Sequence, residues 1–291
     1  MIIYKIVRKV YAMNINWYPG HMKKTRESLL EMSKLVDIVI ELIDARAPMS
    51  STNPIIKEIT ANKAKIILLN KADLADDRVN KKWIAHYKDA KCIEFNAKDK
   101  SNVKKIIDLS RKEVDKYHKE HKQREHFGPI KAMVVGIPNV GKSTFINLMN
   151  NKKSLKTGNK PGVTKKNQWI KVDNDFMLLD TPGVLWPKFE SQEIGMNLAF
   201  IGSIKDEILN KDDIAIALIK FLKTNYSGAL NARYKVNEDA TELEILEEIA
   251  KNRGFILKGI ELDVYKAINI LIDEFRNGLL GRISLEEPLD E

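Results

Sequence analysis

Eight consecutive residues, Gly136-Ile137-Pro138-Asn139-Val140-Gly141-Lys142-Ser143, form a G-x-x-x-x-G-K-S loop. Its glycines, Gly136 and Gly141, let the backbone curl until successive N–H groups face a nucleotide's phosphates. Lys142 adds positive charge on the β- and γ-oxygens, and Ser143 offers a hydroxyl to Mg²⁺. The chain continues through Thr144 into a helix whose amino end favours anions. A second motif, Asn70-Lys71-Ala72-Asp73, has the N-K-x-D form that reads guanine. The Asp73 carboxylate can accept from both N1–H and the exocyclic amine of that base, a charge-assisted bidentate contact. Adenine offers no such pair of donors, and a site built this way discriminates by roughly 10⁴-fold. Asn70 is expected to tether the loop, and the Lys71 stem to cover one face of the base.

The order of these motifs is inverted. Asn70 precedes Gly136 by 66 residues, whereas ordinary small GTPases make the phosphate loop first. The parts are those of a GTPase, cut and rejoined elsewhere.

Further residues fall where such a site needs them. Asn96-Ala97-Lys98 takes the place of the S-A-K loop whose backbone N–H meets guanine O6, with Asn replacing Ser. Thr164 lies 22 residues past Lys142, a suitable distance for the switch threonine that caps Mg²⁺ and senses the γ-phosphate. Asp180-Thr181-Pro182-Gly183 ends a buried run. Asp180 is expected to hold a Mg²⁺-bound water, and the Gly183 N–H to contact the γ-phosphate. Losing those contacts on hydrolysis would release both loops.

Val184 and Leu185 follow, where Ras-like enzymes carry a water-orienting glutamine. An aliphatic side chain cannot orient water, so unaided hydrolysis should be slow. His21 is the candidate replacement, because imidazole can orient or deprotonate water near neutral pH. A structural histidine or an RNA contact is an equal alternative at this stage. Asn139, inside the phosphate loop, could place a side-chain carbonyl on K⁺ beside the phosphates.

These motifs need strands that end at one edge. Short apolar runs at 36–43, 65–69, 92–95 and 130–135 each stop just before a chemical motif. Ligands of open α/β sheets bind at that carboxyl edge. Runs 168–172 and 176–179 predict a hairpin about Asp173-Asn174-Asp175. The alternation with amphipathic stretches predicts a mostly parallel sheet with helices on both faces. Residues 102 to about 123 read as a charged helix, broken at Phe127-Gly128-Pro129. Beyond about 190 only helical periodicity remains, at 211–224, 241–251 and 262–276. The expected division is an extension over 1–13, a nucleotide-binding domain over 14–188 and a small all-α domain over 189–291.

Composition narrows the classes. The lone Cys92 leaves no internal disulfide and fits a reducing cytoplasm. A net charge of +9 favours polyanionic partners, nucleic acid or an anionic membrane. No run approaches the ~18 apolar residues of a membrane span. The opening twelve residues lack the uninterrupted apolar stretch of a signal peptide, and Met13 is the expected natural start. Nothing requires more than a monomer.

Taken in order, N-K-x-D, N-A-K, G-x-P-N-V-G-K-S, P-G-V-T and D-T-P-G resemble the circularly permuted GTPases of the YlqF/YawG group. Trp17-Tyr18-Pro19-Gly20-His21-Met22, Asp44-Ala45-Arg46 and the run from Asp180 to Phe189 strengthen the resemblance, which extends from about residue 14 to the end. It implies a P-loop GTPase that binds GTP and GDP with Mg²⁺ and assembles the large (50S) ribosomal subunit. It also implies a helical domain that contacts ribosomal RNA, hydrolysis stimulated by the subunit or its precursor, ribosomal proteins as neighbours, and a catalytic role for His21. Two other classes compete: a P-loop kinase or ATPase, against which Asp73 argues, and a membrane-associated or tRNA-modifying GTPase, for which no feature speaks.

Overall fold

The structure is a computed structural model that describes residues 22–97, 99, 102–122, 128–150, 168–186 and 189–288. Among these, residues 22–189 together with 284–288 make one compact unit, and 190–283 make a second.

The first unit is built on a six-stranded sheet: β1 (Ile38–Asp44), β2 (Ala64–Asn70), β3 (Lys91–Phe95), β4 (Ile130–Val135), β5 (Gln168–Lys171) and β6 (Phe176–Asp180). Their spatial order is β3-β2-β1-β4-β6-β5. Only the β5–β6 hairpin is antiparallel; the other pairs are parallel. Every residue of β1 is buried, which is why its sequence is a near-continuous apolar run without alternation. Parallel register aligns the strand ends: Asp44 faces Asn70, Asn70 faces Phe95, and Val134 faces Asp180. The motifs therefore open onto a single edge.

Helix α1 (Met22–Ser33) precedes β1, while α2 (Pro48–Ser51) and α3 (Pro54–Ile59) follow it and α4 (Asp77–His86) follows the guanine-reading motif. Leu29, Met32 and Ile56 from α1 and α3 pack with Val39, Met133, Val135 and Leu179 from the sheet. Val79 and Trp83 of α4 pack with Ile43, Ile67 and Leu69 on the same side. Residues of opposite parity, Ile38, Ile40, Leu42, Ile66 and Leu68, are equally buried, and α5 (Asn102–Glu120) packs against β1 and β2. Both faces are covered, as a parallel sheet requires. Helix α6 (Lys142–Met149) follows the phosphate loop, and its Phe145 meets Phe95 edge-on at 5.5 Å.

The second unit is helical: α7 (Gln192–Phe200), α8 (Lys211–Asn225), α9 (Ala229–Tyr234), α10 (Glu242–Asn252) and α11 (Val264–Arg276). Three of these match the periodic stretches read from the sequence. Thr241 and Glu244 close a capping box at the start of α10. Glu274 pairs with Arg233 at 2.7 Å and Arg253 at 3.3 Å, which holds its carboxyl below its usual range.

One boundary differs from the sequence division. Residues 284–288 leave the helical unit and pack on the nucleotide-binding unit. Leu285 N donates to Arg46 O at 2.7 Å, and Trp83 Nε1 to Glu286 O at 3.2 Å. The Glu286 carboxylate accepts from Ser50 N at 2.8 Å and Ser50 Oγ at 2.7 Å. This strap works through backbone and single side chains, so it has no periodicity for a sequence reading to detect.

Candidate nucleotide site

The phosphate loop takes its shape from two close approaches. A Cβ on Gly136 would meet Leu42 O at 2.5 Å, and one on Gly141 would meet Asn70 Nδ2 at 2.3 Å. Gly141 also sits at φ +104, a conformation open to glycine. Asn139 adopts the left-handed region at φ 57, which asparagine tolerates better than most residues. Lys142 is buried, and its ammonium donates to Gly136 O at 2.9 Å and Ile137 O at 2.7 Å. Burial lowers its pKa to about 8, with the Asp180 charge acting in the opposite direction. Ser143 is half-buried and Thr144 exposed in the first turn of α6.

The guanine-reading loop is fastened to the phosphate loop. Asn70 Nδ2 donates to Val140 O at 2.6 Å, which is the tether expected of Asn70. Lys71 holds φ 59, and its ammonium donates to Asp44 Oδ2 at 2.8 Å and Asn139 O at 3.1 Å. Ala72 is buried beneath the loop while Asp73 is exposed at its rim. Asn96 and Ala97 sit half-buried just past β3.

Asp44 and Arg46 are the residues whose role the sequence did not disclose. Arg46 Nε donates to Asp44 Oδ1 at 2.9 Å and Nη2 to Oδ2 at 2.8 Å, with both side chains essentially inaccessible. Burial would raise the Asp44 pKa, but Arg46 and Lys71 outweigh it and hold the carboxyl well below the usual carboxylate range. An Asp two residues before an Arg at a strand end was the available signal, and it matched the family pattern without revealing its chemistry.

Asp180 ends β6 with Oδ1 buried and without a hydrogen-bond partner. Burial raises its pKa, against the Lys142 charge and the Thr181 N–H. An orphaned buried carboxylate oxygen near the phosphate-loop lysine suits a bound cation or its water. Thr181 Oγ1 donates to Val134 O at 2.6 Å and anchors the turn. Gly183 is exposed, and a Cβ there would meet Lys142 Nζ at 2.8 Å and Pro138 Cα at 2.9 Å. Val184, Leu185 and Trp186 are buried. Val184 packs among Leu29, Met32 and Met133, while its carbonyl accepts from Asn53 Nδ2 at 2.8 Å.

The fold thus brings Asn70, Lys71, Asn139, Val140, Lys142 and Gly183 to one place. His21, Lys98 and Thr164 lie outside the described residues.

A phosphate loop and a guanine reader at one sheet edge, joined by a permuted strand order, define a P-loop GTPase. The family described as "50S ribosome-binding GTPase" matches residues 131–257. Ribosome biogenesis GTPase A of Bacillus cereus is 45% identical over 280 residues, covering 95% of each chain. Its Priestia megaterium counterpart is 43% identical, covering 95% of this chain and 98% of the other. The solved GNP-bound YlqF from T. maritima superposes with a TM-score of 0.62 at 27% identity, covering 92% of this chain and all of that one. A GDP-bound form gives 0.65, covering 90% of this chain and all of that one. The chain belongs to the ribosome biogenesis GTPase A family. It binds guanine nucleotides and hydrolyses GTP.

Proposed function

We propose that this GTPase assembles the large (50S) ribosomal subunit, binding its precursor in the GTP state and leaving when the particle stimulates hydrolysis. Family membership supports a ribosomal partner, and the burial of Val184 supports the need for stimulation. The side chain after D-T-P-G is apolar and packed inward, so it cannot orient water for attack on the γ-phosphate. The particle, or a residue that it brings into position, completes the site. His21 is our candidate for that residue.

In this reading Asp73 takes the guanine edge, with Asn70, Lys71 and Ala72 shaping its loop and Asn96-Ala97 meeting O6. Val140, Gly141, Lys142, Ser143 and Thr144 cradle the phosphates, while the Gly183 N–H senses the γ-phosphate. Among the described residues no three His, Cys, Asp or Glu side chains converge on a metal site. Mg²⁺ suits such a place, because it binds through one or two side chains plus substrate phosphates. Ser143, Thr164 and, through water, Asp180 would hold it, where it would neutralise developing phosphate charge. Asn139 would add K⁺; equal hydrolysis rates in K⁺ and Na⁺ would remove that element. The helical unit over 190–283 contacts ribosomal RNA and proteins, and the protein acts as a cytoplasmic monomer without a membrane partner. Among the described residues no helix is long and apolar enough to cross a bilayer.

The deciding experiment measures GTP turnover with and without purified large subunits, alongside GTP- and GDP-dependent co-sedimentation. Stimulated turnover and GTP-dependent pelleting are expected. Unchanged turnover, with free protein under both nucleotides, would reject the assembly role.

A further inference from the structure

The positive charge of the chain is unevenly divided. Residues 190–283 hold 12 lysines and arginines against 16 aspartates and glutamates, whereas 16–189 hold 34 against 20. The helical segment is net acidic. The excess positive charge lies on the nucleotide-binding unit, which gives that unit its own long-range attraction to a polyanion.

That unit carries a second concavity, away from the nucleotide loops. A cleft of about 700 Å³ opens at the amino-terminal ends of β1, β2 and β4, lined among others by Lys34, Lys63, Lys131, Asp37, Tyr117 and Trp169. Lys34 and Lys131 are exposed. Lys63 is part of the wall, its ammonium donating to Val36 O at 2.9 Å. The acid among these six, Asp37, accepts from the Lys131 backbone N–H at 2.8 Å. Trp169 stands on the edge strand β5 and is 38% exposed, and Leu35, which lines the same cleft, is 57% exposed, so the two put an apolar face beside the lysines. Tyr117 is held by His121, which stacks on it at 3.9 Å.

An aromatic face beside exposed ammonium groups is the equipment of single-strand RNA grooves: bases stack while phosphates meet the cations. A continuous A-form duplex keeps its bases stacked on each other and offers none to Trp169. We propose that this cleft holds a nucleotide of single-stranded RNA, its base on the Trp169 indole and its phosphates on Lys34 and Lys131. The assembly reading supplies the biological source of that RNA; the binding chemistry stands apart from it.

The test is fluorescence anisotropy of full-length protein with a labelled U-rich 8-mer, its abasic counterpart and an RNA duplex, across a salt series. Trp169→Ala should weaken U-rich binding about tenfold, while Trp169→Phe, which keeps a ring, should retain most of it. Lys34→Gln with Lys131→Gln should lower the slope of log affinity against log salt by about 1.4. GDP affinity should stay unchanged in all of these variants, which shows that they fold. Wild-type affinity and slope in the variants, or equal binding of the abasic strand or the duplex, would overturn the proposal. The same proteins go through the large-subunit pelleting assay. Variants with wild-type oligonucleotide binding alongside normal wild-type pelleting would sink the cleft alone. Weakened variants alongside a wild type that never pellets would sink the assembly role and leave the cleft standing.

Discussion

Asn70 Nδ2 donates to Val140 O at 2.6 Å, joining the guanine reader to the phosphate loop across seventy residues of chain. The permuted order separates these loops in sequence, and this bond reunites them in space. Gly141 leaves room for it, since a Cβ there would strike the same amide at 2.3 Å. Asn70→Ala should weaken GDP binding roughly five- to tenfold, the loss of about one net hydrogen bond. Asn70→Asp should be worse, because a carboxylate cannot donate and would face a carbonyl. Titration with a fluorescent GDP analogue checks both, and unchanged affinity in the aspartate variant would show that the tether does not matter.

Lys142 links binding to pH. Burial places its pKa at about 8 in the free protein, below its ordinary 10.5. Bound phosphates favour the ammonium and raise the value, so binding above about pH 8 takes up a proton. Affinity should therefore fall as pH rises from about 7.5 to 9, by at most tenfold per unit. The free fold has the opposite trend from this group: below about 8 it carries a buried ammonium that the unfolded chain solvates. Its contribution to stability therefore improves as pH rises from 8 toward 10.5. Calorimetry at pH 8.5 in two buffers of different ionisation heat should reveal the uptake, and Lys142→Met should abolish it.

The strap makes a separate prediction. Glu286→Ala would leave Ser50 N and Oγ without their carboxylate in a buried setting. The cost should be about 2 kcal/mol of unfolding free energy in the nucleotide-binding unit. Glu286→Gln keeps an acceptor and should lose less. Urea denaturation followed by tryptophan fluorescence, to which buried Trp83 beside Glu286 O contributes, checks this. Equal midpoints for the wild type and the alanine variant would mean that the strap lies on the surface without holding it.

Sequence alone disclosed the strands because burial on both faces leaves apolar runs, as in β1, and because each run stops at a recognisable motif. It singled out Lys142, Asp73 and Asp180 as candidates because phosphate and guanine chemistry fixes residue type and spacing together. The Asp44–Arg46–Lys71 network stayed hidden, since a buried ion pair depends on where side chains meet rather than on any local pattern. Helix α1 was missed as well: its buried contacts are few, with Leu29 and Met32 among polar neighbours. The strap went unseen for the same reason as the network, its partners lying over 200 positions away in sequence.

His21 carries the catalytic part of our proposal. His21→Ala should reduce subunit-stimulated GTP turnover by at least about 100-fold, the usual contribution of a positioned acid–base group. GTP affinity and unstimulated turnover should stay close to wild type. A matching loss of GTP affinity would instead assign His21 to the architecture of the site. Single-turnover hydrolysis with saturating large subunits separates the two, because it reads the chemical step without product release.

Val184 should resist conversion into the glutamine of Ras-like enzymes. Its side chain is packed among Leu29, Met32, Val39, Met133, Val135 and Leu179, and its carbonyl is held by Asn53. Val184→Gln would push a longer amide into that apolar cluster, where no water replaces its hydrogen bonds. Burial without partners should destabilise the unit by about 2 kcal/mol. If the amide escapes outward, the turn after Gly183 must move away from Gly136, whose carbonyl accepts from Val184 N at 3.4 Å. Either outcome leaves unstimulated hydrolysis no faster than wild type, and the second also weakens GTP binding more than GDP binding. Thermal melts paired with unstimulated turnover check this. A stable variant hydrolysing GTP tenfold faster unaided would show that the buried valine is no obstacle, and that dependence on the particle has another cause.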